Sequence, residues 1–293
     1  MDVYLIDGTY ELFRHFYAMP RQQGRDGREV AALIGVLGSV LSMLEGGTTH
    51  LGVATDHVIE SFRNGLWAGY KTSEGIEPEL LVQFHPLEDA LRAMGVVVWA
   101  MEEFEADDAL AAAARLAAES KDVEQVIICT PDKDLSQCVR GQRVVQLDRR
   151  KRELRDEGGV VARFGVGPAS IPDYLALVGD SADGFPGVPG WGEKAAGTVL
   201  GRYAHLERIP TSHAQWEVPV RGAARLAAAL QEHRELAILF RRLATLRTDV
   251  PVFETVDDLR WRGPAPEFER VAQQLGVPGL WDRARRIPLT EAS

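Results

Sequence analysis

The feature that most constrains this chain is a repeated phrase: a short apolar run that ends in acid and precedes a segment of helical length. Val3-Tyr4-Leu5-Ile6 leads into Asp7, residues 50–55 (HLGVAT) lead into Asp56, and residues 125–130 (QVIICT) run into Pro131-Asp132-Lys133-Asp134. A further run, Val96 to Trp99, is joined by a short loop to Phe104-Glu105-Ala106-Asp107-Asp108. Unbroken apolar runs of this length suit strands buried on both faces. Between them, apolar residues recur at helical spacing over 30–44, 79–94 and the alanine-rich 107–119. Strands alternating with helices predict right-handed crossovers and a parallel sheet covered on both sides, an α/β fold.

Beyond about Ile171 the strand signal fades. Pro172 stands in the first turn of a helix continuing over 173–178, and a glycine-rich loop follows over 179–192. Helices are predicted over 193–203 and, as one long apolar-periodic segment, over 223–246. Pro264, Pro266, Pro278 and Pro288 cut the tail into short helices of a loose layer. The expected division is an α/β part over 1–170 and a helical part over 171–293.

Several classes are excluded on composition. The longest uncharged stretch, 30–44, holds 15 residues with two glycines and two serines, short of the about 20 apolar residues a membrane span needs. Two cysteines, Cys129 and Cys138, make no disulfide framework, and no basic region precedes the first apolar run, as a secretory leader requires. The expectation is a cytoplasmic monomer. The net charge of −10, from 33 basic and 43 acidic residues, at first argues against a DNA-coating protein.

Where the acids fall matters more than their sum. Ligands of open α/β sheets bind outside the carboxyl ends of the strands, where Asp7, Asp56, the 105–108 acids and Asp132 with Asp134 are expected; Asp180 and Asp183 add two more from the glycine-rich loop. Singly, each reads as a turn residue, an N-cap or an acid favouring a helix dipole. Together they would repel one another and raise one another's pKa unless cations neutralised them. An all-oxygen set without His or Cys selects Mg²⁺ or Mn²⁺, and a pair of such ions serves phosphodiester hydrolysis.

Four segments carry a resemblance. Leu5-Ile6-Asp7-Gly8-Thr9 with Arg14, residues 104–108 (FEADD), Asp132-Lys133-Asp134, and residues 179–195 (GDSADGFPGVPGWGEKA) are similar, in order and spacing, to the 5′ nuclease family. That family includes the exonuclease domain of bacterial DNA polymerase I, phage 5′ exonucleases and flap endonucleases, and the likeness runs from residue 4 to about residue 262. It implies a PIN-like parallel-sheet nuclease core with a helix-three-turn-helix DNA-binding region. Matched residue by residue, it implies metal carboxylates at Asp7, Asp56, Glu105, Asp107, Asp108, Asp132, Asp134, Asp180 and Asp183. Without these nine charges the net of −10 becomes −1, so the acidic balance is mostly the site itself. The resemblance implies two Mg²⁺ or Mn²⁺ ions and, at the Gly187–Gly192 turn, a K⁺ ion.

The same likeness implies DNA with 5′ ends, nicks or flaps as partner and no membrane. DNA contacts fall on Gly187, Val188, Gly190, Gly192 and Lys194; a glycine-rich turn opening a helix at Glu193 presents N–H groups to phosphate. An arch for a single-stranded 5′ end is expected over about 60–95, where Tyr70 would stack on a base and Arg63 and Lys71, with Arg14, would steady the reacting phosphate. Here the chain departs from the family's Tyr-Lys-x-x-Arg: it reads Tyr70-Lys71-Thr72-Ser73-Glu74, and 60–79 carries two basic against four acidic residues. Separately, residues 140–155 hold seven basic against two acidic residues, with Arg149-Arg150-Lys151-Arg152 at the tip of an expected hairpin. That tip reads equally as a phosphate tracker and as a solvated turn.

Two other classes share parts of this pattern. A non-catalytic DNA-structure binder of this fold would be marked by a lost carboxylate, and none is lost. A haloacid-type phosphatase needs Asp-x-Asp after the first strand, where this chain has Asp7-Gly8-Thr9.

Overall fold

The structure, a computed structural model, describes residues 1–289, so the end of the expected 171–293 region (residues 290–293) lies outside the described residues. The chain begins with β1 (Asp2–Asp7), α1 (Gly8–Ala18), α2 (Ala31–Glu45), β2 (His50–Asp56), α3 (Pro78–Leu81) and α4 (Phe84–Ala93). The alternation closes with β3 (Val97–Met101), α5 (Ala106–Glu119) and β4 (Gln125–Cys129). Then follow β5 (Val144–Asp148), β6 (Glu153–Arg155), α6 (Glu157–Phe164), α7 (Ile171–Val178), α8 (Glu193–Tyr203), α9 (Ala223–Glu232), α10 (Arg234–Ala244), α11 (Glu267–Gln274) and α12 (Gly279–Ala284). Two compact units result, one of residues 1–59, 73–130 and 248 onward, the other of 60–72 and 131–247.

In the first unit, four strands run parallel in the order β3-β2-β1-β4. All seven residues of β2 are buried, as a central strand covered on both faces requires. Val36, Leu37, Val40 and Leu41 of α2 are fully buried, which explains its uncharged sequence. The helix expected over 79–94 is two helices. Gln83, at the break, accepts from Leu33 N (3.1 Å) and donates to Glu79 O (2.8 Å), so it serves an N–H left over at the start of α2. The tail packs in this unit and is anchored: Trp99 Nε1 donates to Val252 O (2.7 Å), Trp261 Nε1 to Met94 O (2.8 Å), and Phe268 and Ala272 are fully buried.

In the second unit, β5 and β6 pair antiparallel, as the expected hairpin does, and α7 packs against α10. The segment expected as one helix over 223–246 breaks at His233 (φ −105, ψ 25), between α9 and α10. The break frees α10 to set Phe240 and Leu243 in the unit's core, where Phe240 stacks on Phe185 (5.5 Å). Among the described residues, no helix is long and apolar enough to cross a membrane.

Gly8 shows how closely β1 and α1 approach β2. A Cβ there would lie 2.7 Å from Val53 Cγ1 and 2.9 Å from Ala54 O. Gly8→Ala is expected to cost about 1–3 kcal/mol through overpacking, read as a lowered urea midpoint at unchanged slope; an unchanged midpoint would show that α1 shifts freely.

Candidate metal centre

Among the described residues, three acidic side chains, Asp134, Asp180 and Asp183, present ligand atoms all within 4.8 Å of one another. All three belong to the second unit. Asp134 opens the 3₁₀ turn Asp134–Cys138, and its N–H donates to Asp132 Oδ1 (2.9 Å). Asp180 and Asp183 sit in a loop after α7 closed by a bridge between Asp180 and Phe185, with Ala182 N donating to Asp180 Oδ1 (3.0 Å). The loop can turn so tightly because Gly179 (φ +86) and Gly187 (φ +72) touch: a Cβ on Gly187 would lie 2.4 Å from Gly179 N.

Asp134 decides the chemistry. It is buried, and its Oδ1 accepts no hydrogen bond. Burial, with the charges of Asp132, Asp183 and Asp180, pushes its pKa well above the usual carboxylate range. Two lysines oppose this repulsion: Lys133 Nζ lies 2.5 Å from Asp180 Oδ2 and Lys71 Nζ 3.3 Å from Asp183 Oδ1. Burial would lower the Lys133 pKa, yet the bond to Asp180 and the charges of Asp134, Asp180 and Asp132 raise it overall. An orphaned buried oxygen among carboxylates fits a hard divalent cation.

The arch-base residues meet this loop within the same unit. Lys71 N donates to Asp183 O (3.1 Å), Trp67 Nε1 to Gly184 O (3.0 Å) and Asn64 Nδ2 to Lys71 O (2.9 Å). Two expectations need correction. Tyr70 is 3% exposed, its ring in the core and its hydroxyl donating to Asp183 Oδ2 (3.3 Å), so it offers no face to a base. Arg63 is 1% exposed and gives its guanidinium to Leu243 O (2.8 Å) and Thr245 O (3.2 Å), holding the end of α10 rather than a phosphate.

The turn at 187–192 divides similarly. Gly187 and Val188 are buried, and Val188 N is spent on Leu177 O (2.9 Å), so neither faces a phosphate. Gly190 (φ +84), Gly192 at the N-cap of α8, and Lys194 are exposed.

The remaining predicted residues lie in the first unit, largely as caps. Asp7 accepts from Tyr10 N (2.8 Å) and Thr130 Oγ1 (3.0 Å); Asp56 accepts from Ala106 N (2.8 Å). Glu105 and the fully buried Asp108 form the capping box of α5, with Asp107 half-buried beside them. Arg14 pairs with buried Glu11 and lies 2.8 Å from His15 Nε2.

Sequence reasoning gives no role to Lys133 or to a 680 Å³ cavity beside Asp180 lined by Lys133, Arg163, Tyr174 and Glu193. Burial and the Glu193 charge push the Tyr174 hydroxyl up to about 12. The position of Lys133 between two acids was the available signal.

A mostly parallel α/β sheet and a buried all-oxygen cluster define a metallonuclease-like class. Residues 2–165 match the family described as 5′-3′ exonuclease, N-terminal resolvase-like domain, and residues 166–267 match 5′-3′ exonuclease, C-terminal SAM fold. The chain belongs to the 5′-3′ exonuclease family. It is 38% identical over 265 residues to DNA polymerase I of Pseudomonas aeruginosa, covering 87% of this chain and 28% of that one. It is 31% identical to a protein named 5′-3′ exonuclease from Aquifex aeolicus, covering 93% and 90%. The chain spans under a third of the length of the polymerase relatives, 26% to 32%. The flap endonuclease of bacteriophage T5, solved as a complex with DNA and metal ions, shares the PIN-like fold at a TM-score of 0.67 and 16% identity over 98% of each chain.

Two outcomes follow from this geometry. Because the folded pKa of Asp134 is raised, the stability tied to its protonated form is full below the ordinary carboxylate pKa and is lost as pH rises through the raised value. In chelator at pH 7, Asp134→Asn should therefore be more stable than wild type, an advantage that shrinks on acidification; a less stable variant at pH 7 would contradict it. Arg63→Met should cost about 2–4 kcal/mol by stranding two carbonyls, read from the urea midpoint, and an unchanged midpoint would return Arg63 to the list of phosphate ligands.

Proposed function

We propose that this chain hydrolyses DNA phosphodiester bonds near 5′ ends, as a divalent-metal-dependent 5′→3′ exonuclease and 5′-flap endonuclease in replication or repair. The observation that carries this reading is the buried Asp134 carboxylate, with an oxygen that accepts no hydrogen bond, among Asp180 and Asp183. The likeness to proteins named 5′-3′ exonuclease supports the same reading.

A divalent cation supplies, when bound, polarisation of a phosphoryl oxygen and a lowered pKa for water. Asp134, Asp180 and Asp183, with Asp132 alongside, would hold one Mg²⁺ or Mn²⁺. Asp7, Asp56, Glu105, Asp107 and Asp108 are the proposed ligand set for the second. Lys71, oriented by Asn64 and by the Asp183 backbone, places a positive charge beside Asp183 where a phosphate would draw it. Arg14 remains a proposed phosphate ligand. Gly190, Gly192 and Lys194 offer an exposed helix N-terminus to the duplex backbone; K⁺ at this turn is part of the family likeness. The family boundary at 165/166 supports a division near 1–170 and 171–293, with an arch over about 60–95. Two free cysteines are consistent with a cytoplasmic setting.

The test is a panel of end-labelled nicked, 5′-flap, blunt and single-stranded DNA. Cleavage should require Mg²⁺ or Mn²⁺, stop in chelator, and fall by orders of magnitude in Asp180→Asn. Mononucleotides from nicks and oligomers from flaps would report the two activities. Undiminished cleavage in chelator would overturn the reading.

A further inference from the structure

At the amino end of β2, a strand's length of about 20 Å from Asp56, lies a 900 Å³ cavity that shares no residue with the metal centre or the 187–194 turn. It stands wholly in the first unit, between the start of β2, the end of α5 and residues 253–260. His50 lines it. That residue is 3% exposed, and among the described residues its Nε2 meets no hydrogen-bond partner. A buried polar nitrogen left unserved costs about 1–3 kcal/mol, so an occupant able to serve it is favoured.

The chemistry of that occupant follows from the neighbours. An isolated antiparallel bridge pairs His50 with Arg260, which brings their Cβ atoms to about 5 Å on one face. Arg260 gives its Nε to Asp257 Oδ1 (2.7 Å), and among the described residues its two terminal nitrogens bond nothing. Arg262 takes the other oxygen of Asp257 (2.7 Å), so one carboxylate answers two guanidinium groups. Burial pushes the His50 pKa down, the charge of Arg260 pushes it further, and Asp257 opposes them. The ring is therefore neutral at pH 7. Thr49 Oγ1 lies 2.9 Å from Nδ1; with that hydroxyl donating, the ring proton stands on Nε2. A guanidinium fork beside an N–H donor, in surplus positive charge, is the complement of an oxyanion.

The cavity is larger than a bare oxyanion needs and falls within the about 300–1,000 Å³ of small-molecule sites. Leu116, Phe253 and Val256 give it an apolar wall, with the Phe253 ring half-buried against Trp99 (6.2 Å). Of the acids on the rim, Glu119 pairs with Arg115 (2.9 Å). Asp122 and Glu254 are exposed and offer acceptors to the amino groups of a base.

We propose that this cavity binds a nucleoside 5′-monophosphate, with Arg260 and His50 on the phosphate and the base along the Phe253 wall. The site stands without the nuclease reading, since it draws on none of the metal carboxylates. Under that reading, its ligand is of the class that 5′→3′ hydrolysis releases.

The test titrates the chain with dGMP, deoxyguanosine and inorganic phosphate in chelator, so that no metal competes for phosphate. In wild type, dGMP should saturate a single site with a Kd below about 1 mM. It should also shift the His50 ring resonances, recognised by their loss in His50→Phe. Deoxyguanosine and phosphate should each bind at least about tenfold more weakly. Arg260→Gln should weaken dGMP by about tenfold or more, the worth of a charge-assisted bond, while Asp180→Asn leaves dGMP binding unchanged. The His50 shift in wild type decides the matter even where Arg260→Gln does not fold. Saturable binding that moves no His50 resonance, or that a folded Arg260→Gln leaves intact, overturns the site, as does a failure of dGMP to saturate. Phosphate binding as tight as dGMP overturns the nucleotide as its ligand.

Discussion

Everything in the second unit answers to one electrostatic cost: a carboxylate, Asp134, buried with one oxygen unserved and other carboxylates at hand. A buried anion is tolerated only when paired, protonated or bound to metal. The structure uses the first of these through Lys133 on Asp180 and Lys71 on Asp183, and the raised pKa of Asp134 shows that pairing is incomplete. Carboxylates kept in such a place destabilise the fold, and stored strain of this kind belongs to functional sites.

Holding the cluster takes considerable machinery. The loop bearing Asp180 and Asp183 is pinned by backbone contact between Gly179 and Gly187, by Phe185 stacked on Phe240, and by Trp67 and Lys71 bonded to its far side. Arg63 secures the chain end of α10 behind it. A substitution well away from the carboxylates thus acts on the cluster through packing, since close-packed interiors transmit displacement.

What the sequence makes legible is whatever rests on local pattern. The strands at 2–7, 50–56, 97–101 and 125–129 announce themselves as apolar runs, and α8 opens and closes where expected. The acids of the cluster are legible because each stands at a strand end or in a glycine-rich loop. Arg63 and Tyr70 are not, because their burial is decided by partners far along the chain: Leu243 lies 180 residues from Arg63, and Asp183 lies 113 from Tyr70. Residue type alone suggested a phosphate ligand and a stacking ring. The same holds for Val188, whose N–H is claimed by Leu177 rather than left open to a ligand, and for the break at His233, which no proline or glycine marks.

The central claim is that the buried carboxylates exist to hold a divalent cation. Crystals grown with Mn²⁺ and measured at its absorption edge test it most directly. An anomalous peak is expected within ligand distance of Asp134, Asp180 and Asp183, with the Lys133 ammonium displaced from Asp180. No peak there at saturating Mn²⁺, with Lys133 and Lys71 still paired to Asp180 and Asp183, would contradict it.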